Sequence, residues 1–262
     1  MVEPALLLIG ELEEQLPYGG RANWARASDP RAAVEELVRR ASTPELIVLA
    51  ESRPGQFSSE SIEALRRLAP LARMHRLLGT WCEGQQRSGR PPAGCTNSFW
   101  HQWRPRVERQ LARASSGFCA TWGLPLTAGA DEQALATADE PIARGSGLVV
   151  VCASATQAAD SLADVCRLAG YTTVIVRDDQ QWAAPGAVAV VWDASVERAT
   201  NHQCVETICR SAGGAPLVAL IGFPRAEDVA QATDAGVTAV VSKPFSIHDL
   251  LWELAAVISV SR

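Results

Sequence analysis

Lysine is nearly missing from this sequence. Lys243 is the only one, and every other strong base among the 24 is arginine. That excludes the lysine-rich tails and tracts that hold many proteins to membranes or nucleic acids, and it singles out the one position that keeps a compact ammonium on a flexible stem rather than a planar fork. Long apolar runs are also absent: none approaches the roughly 20 residues needed to cross a bilayer. The N-terminus has neither the basic flank nor the small-residue cleavage site of a secretory signal, so a cytoplasmic location is expected. There is no CxxC pair among the 7 cysteines, whose odd number and apolar neighbours (Cys152, Cys166, Cys209) point to reduced, buried thiols rather than a disulfide framework. Cys82, Cys95 and His101 stand at a spacing that matches no zinc pattern, and no metal is expected there.

Catalytic signatures are missing as well. None of the 4 histidines (His75, His101, His202, His248) lies in a nucleophile or metal-ligand motif, and no G-x-G-x-x-G or Walker loop follows a strand. Arg144-Gly145-Ser146-Gly147 precedes a strand instead and so cannot cradle a phosphate at a helix start. No enzymatic activity and no cofactor are expected.

What is present is a chain of 262 residues, enough for two domains of about 100–150 residues each. The net charge of -5 is unevenly spread: residues 146–262 carry 7 basic and 12 acidic side chains, while residues 1–145 balance 17 against 17. Within the neutral half, 61–115 holds 10 arginines against Glu63, Glu83 and Glu108. The composition divides the chain into an α/β domain over 1–125 with an Arg/Trp-rich end, a linker over 126–146 poor in large apolar residues, and a second α/β domain over 147–262.

In the first domain, buried strands are expected at 5–9, 45–50 and 76–81, with a turn at Tyr18-Gly19-Gly20. Helices are expected at 31–41, started by Ser28-Asp29-Pro30 and burying Ala33, Val34, Leu37 and Val38, and from Ser58 or Ser59 through Leu68. A Gly/Pro-rich loop over 85–94 leads into Phe99-Trp100-His101-Gln102-Trp103 and an arginine-bearing helix ending near Ala114. The second domain reads as strands at 147–152, 171–176, 187–192, 216–221 and 237–241, with helices at 156–169, 204–211, 226–235 and 247–258 and a short connection or helix at 178–182. Such alternation predicts a doubly wound parallel sheet whose ligand crevice lies at the carboxyl ends of the strands.

Three features fall at those strand ends: Asp193 after the third strand, Asp234-Ala235-Gly236 before the fifth, and Ser242-Lys243-Pro244-Phe245 after it. With them, residues 147–260 resemble the receiver (CheY-like) domain of two-component response regulators. The resemblance implies five strands in the order 2-1-3-4-5, a phosphoacceptor position at Asp193, a contacting lysine at Lys243, and a Lys243–Pro244 bond of the cis form. The departures are equally specific. Cys152-Ala153 replaces the acidic pair that holds magnesium, which needs oxygen ligands. Ile221-Gly222 replaces the hydroxyl residue, Val240 the aromatic switch residue, and Val196-Glu197 the Met-Pro that follows the acceptor. The second domain therefore reads as a pseudo-receiver in which Asp193 and Lys243 remain as an ion pair. The first domain resembles a receiver more loosely, through the loop Ala50-Glu51-Ser52-Arg53-Pro54-Gly55, with its acceptor position on Ala50; a plain Rossmann/flavodoxin-like reading serves nearly as well.

Arg87, Arg90, Trp100, His101, Trp103 and Arg106 form a candidate binding patch within the segment 87–113. Two readings stand: a nucleic-acid, nucleotide or protein surface, or tryptophans packing the helix onto the first sheet with arginines solvated or paired with the acidic C-terminal half. The whole reads as a non-catalytic bacterial signalling or scaffold protein acting through protein partners. Its expected contact face runs from Ala226 to Phe245 and along the last helix with Trp252, and could carry a homodimer. The alternatives are a phosphorylatable response regulator or a nucleic-acid-binding protein.

Overall fold

The computed structural model describes residues 5–12, 24–39, 43–84, 92, 94–117, 119–125, 127–128, 130–138, 140–177 and 180–260. The chain divides into two compact units, Met1–Glu140 and Pro141–Arg262. Among the described residues no helix is long and apolar enough to cross a membrane.

The first unit is a five-stranded sheet, β1 (Leu6–Ile9), β2 (Trp24–Ala27), β3 (Leu46–Glu51), β4 (Arg73–Leu78) and β5 (Cys95–Phe99), paired throughout in parallel in the order 2-1-3-4-5. β3 is buried on both faces, which is why it reads as one continuous apolar run. Helices α1 (Pro30–Arg39) and α2 (Ser59–Leu68) cover one face and close a core on Leu7, Ile9, Ile47, Leu49 and Met74. Their starts follow from local chemistry. Asp29 accepts from the Arg31 and Ala32 amides at 2.9 and 3.0 Å, and Ser58 from Ser61 at 3.1 Å. Helix α3 (Trp100–Ser115) begins directly at the end of β5.

Several sequence expectations are corrected here. Strands β2 and β5 are additions, the third expected strand lies at Arg73–Leu78, and Trp81 stands on a 3-10 turn with 68% of its surface exposed. Val38, expected on the buried face of α1, is 72% exposed. The turn expected at Tyr18-Gly19-Gly20 lies outside the described residues. The stretch read as linker carries helix α4 (Ala130–Ala138), and Glu140 at its end is held by Arg109 at 3.0 Å and by Gln110 at 2.5 Å.

The second unit repeats the plan. Strands β6 (Leu148–Cys152), β7 (Thr172–Val176), β8 (Ala187–Asp193), β9 (Leu217–Gly222) and β10 (Ala239–Lys243) run parallel in the order β7-β6-β8-β9-β10, again 2-1-3-4-5 within the unit. Alternate side chains feed two cores. One, with Val149, Val151, Ala153, Ala189, Val191, Val218 and Leu220, is closed by α5 (Thr156–Leu168) and α9 (Ile247–Val260). The other, with Val150, Cys152, Val190, Trp192, Ala219 and Ile221, is closed by α6 (Val196–Ala199), α7 (His202–Ser211) and α8 (Ala226–Asp234). Between β7 and β8 no helix occurs among the described residues, although a connection or helix was open at 178–182.

Candidate functional site

The carboxyl ends of β8, β9 and β10 place Asp193, Gly222 and Lys243 on one face of the second sheet, Asp193 two residues short of the other two. Register aligns Asp193 with Leu220 and Lys243 with Gly222, so Lys243 sits one full strand away from Asp193, with β9 between them. Bridging two strand spacings requires roughly 9–10 Å. The flexible lysine stem spans it without approaching Gly222, where an added Cβ would meet nothing within 4 Å. Lys243 Nζ donates to Asp193 Oδ1, closing an ion pair whose side chains are 36% and 22% exposed. The Lys243–Pro244 peptide is cis.

The positions around this pair are apolar. Of the two residues expected from the sequence at the metal-pair position, Ala153 shares the core on the Asp193 face and is 2% exposed, while Cys152 turns into the opposite core and is fully buried. Ile221 is buried in that second core too, and Val240 packs against it. Among the described residues no group of three His, Cys, Asp or Glu side chains could hold a metal ion. The lip of the site is formed by Phe223, 50% exposed and in the left-handed region with φ 44°, whose amide donates to the Lys243 carbonyl at 3.4 Å. For a bulky residue this backbone conformation costs of order 1 kcal/mol.

The first unit holds a counterpart that the sequence did not disclose. Glu51, the last residue of β3 and 1% exposed, is gripped by Arg76 of β4 through Nε and Nη2, both at 2.6 Å. This two-pronged contact keeps the Arg76 guanidinium above its ordinary pKa, against the opposing effect of burial. Ala50, the expected acceptor position, is fully buried and carries no functional group. The sheet's switch point between β1 and β3 is filled by the chain itself. Ser52 donates to the Glu11 carbonyl at 2.8 Å and its amide to Gln56 Oε1 at 2.8 Å, and Phe57 packs against Gly10.

The Arg/Trp segment folds inward. Trp100 and Trp103 are 6% and 3% exposed, so neither offers a face on which a base could stack. Trp103 instead contacts Trp24 and His75, with ring centroids 6.2 and 5.3 Å apart, and His101 stacks on Phe99 at 5.5 Å. Arg106 donates to Ser98 Oγ at 3.4 Å and Arg109 to Glu140. Burial first, and then the Arg106 charge, lower His75 to about 3 and His101 to about 4. Arg87 and Arg90 lie outside the described residues. In the described part the tryptophans pack inward, and Arg109 pairs with Glu140 of its own unit rather than with the acidic C-terminal half.

No protein-family model and no curated protein matches the sequence. Among solved structures, a response regulator protein from Burkholderia pseudomallei, carrying a phosphorylated aspartic acid, calcium ion and citrate, is similar over 44% of this chain and 69% of its own, at 14% identity and a TM-score of 0.34. GsuK bound to ADP is similar over all of this chain (100%) and 70% of its own, at 11% identity and a TM-score of 0.28. Both are too remote to bear on the site.

Proposed function

We propose that this chain is a non-catalytic signalling or scaffold protein whose second unit is a pseudo-receiver, working through protein contacts. The observation that carries this is the Asp193–Lys243 ion pair standing beside Ala153 and Cys152. The acid and the base of a receiver site are retained, and the carboxylates that would bring a cation to them are replaced by a methyl and a buried thiol. Phosphoryl transfer to an aspartate relies on neutralising the charge that develops on the transferred group. Here one ammonium is available for that work and it is already engaged. The pair instead fixes the ends of β8 and β10 relative to each other, holding one arrangement of the surface formed by α8, β10 and α9. That surface presents Phe223 and Ile247, 50% and 39% exposed, together with the half-buried Trp252 to a protein partner. Exposure to a small phosphodonor with magnesium, followed by mass spectrometry, tests the reading: it predicts unmodified protein, and stoichiometric label on Asp193 would overturn it.

A further inference from the structure

The chain passes from the first unit to the second through a stretch that is tied down on both sides. On the far side, Ile142 packs against the core closed by α5 and α9, Gly145 donates its amide to the Ala169 carbonyl at 2.8 Å, and Arg144 Nη1 donates to the Leu168 carbonyl at 3.5 Å. On the near side the tie is Glu140, 7% exposed, whose two carboxylate oxygens accept separately from Arg109 Nε at 3.0 Å and Gln110 Nε2 at 2.5 Å. Gln110 is itself buried and fixed, its Oε1 accepting from the Thr121 amide at 2.7 Å. Between the two anchors stands Pro141, exposed and without an amide hydrogen to donate.

What precedes Glu140 buries little. Among the described side chains of α4 none is buried, and Leu135 is 68% exposed. The helix lies against the 3-10 turn Thr121–Gly123. Gln133 Nε2 donates to the Ala128 carbonyl at 3.0 Å and Thr137 Oγ1 to the Gln133 carbonyl at 3.2 Å, bonds that stay within the segment. A helix this short does not hold itself in water, and a segment with few buried apolar contacts opens at low free energy unless its end is fixed.

We propose that Glu140 is a latch that sets the length of the connection between the two units. Latched, Arg109 and Gln110 hold the chain at 140 and the connection is Pro141. Unlatched, α4 has no buried apolar face to keep it in place, and it leaves with Glu140. The connection then lengthens by the whole helix, at about 3.3–3.6 Å for each extended residue. A buried carboxylate suits this task, because the tie is firm while both donors are present and removal of either leaves a buried charge short of a partner.

Native-state hydrogen exchange on the full chain tests this. Glu140→Gln, which removes the charge at nearly constant volume, is expected to speed exchange of the α4 amides at least about tenfold while the β3 amides keep their wild-type rates. Arg109→Met is expected to do the same, and the double variant to exchange no faster than the faster single one, since both cut one tie. Subtilisin cleavage within the connection should accelerate in step and release two folded fragments. Exchange in α4 unchanged by Glu140→Gln, effects of the two substitutions that multiply, cleavage no faster than in the wild type, or β3 amides that lose protection together with α4 would each overturn the proposal.

Discussion

Lys243 reaches Asp193 across an intervening strand, a span that suits the one lysine of the chain. A flexible unbranched stem can cross β9 and deliver one charge, whereas the arginine fork is wider and prefers two parallel contacts, as Arg76 makes with Glu51. Because both side chains of the Asp193–Lys243 pair are partly exposed, at 22% and 36%, the pair contributes modestly. Lys243→Met is expected to lower the unfolding free energy by about 1 kcal/mol, less at high salt, and Lys243→Arg to recover only part of it. Urea titrations at two ionic strengths measure this. His75 acts in the opposite sense. Its pKa in the fold, about 3, lies below the ordinary value of 6.5, so the unfolded chain binds the extra proton first. Its contribution is therefore complete above pH 6.5 and is lost as pH falls toward 3. Between pH 6.5 and 5, where most carboxylates stay ionised, this lost contribution amounts to at most about 2 kcal/mol. His101, lowered to about 4, acts over the same window, so His75→Phe should remove about half of that slope, as read from urea midpoints.

At the level of elements, apolar strands were legible even at the edges β7 and β10, and the two polar edges of the first sheet were not. β3, β6, β8 and β9 are buried on both faces and announce themselves as apolar runs. β2 (Trp-Ala-Arg-Ala) and β5 (Cys-Thr-Asn-Ser-Phe) carry no such run, because an edge strand has less to bury, and the sequence left both as loop. Helix α4 was masked in another way. Its alanines, Glu132, Gln133 and Leu135 are good helix formers, yet the absence of a large apolar stripe reads as linker. The same division governs the site. Asp193 and Lys243 could be placed because each ends a well-marked strand, whereas Glu51–Arg76 could not, since nothing in the spacing of two residues on neighbouring strands announces a contact. One element boundary gives a sharp test. The Tyr171 ring lies so close to Gly145 that a Cβ there would fall 2.0 Å from it. Gly145→Ala should displace Tyr171, 7% exposed within the core closed by α5 and α9, and destabilise the second unit by roughly 3 kcal/mol, visible as a lowered melting temperature.

Across the whole molecule, each unit has its own sheet in the order 2-1-3-4-5 and each ends its third strand with an acid held by a base. In the first unit the acid is buried and the base bidentate; in the second the pair stays at the surface, within reach of a partner. Among the described residues no group of three His, Cys, Asp or Glu side chains stands beside either pair, which fits the proposal that neither is a phosphorylation switch. The most direct measurement of that claim is the intact mass of the wild type and of Asp193→Asn after incubation with acetyl phosphate and magnesium. The account predicts two unmodified proteins. A stoichiometric phosphoryl adduct on the wild type that is absent from Asp193→Asn would contradict it.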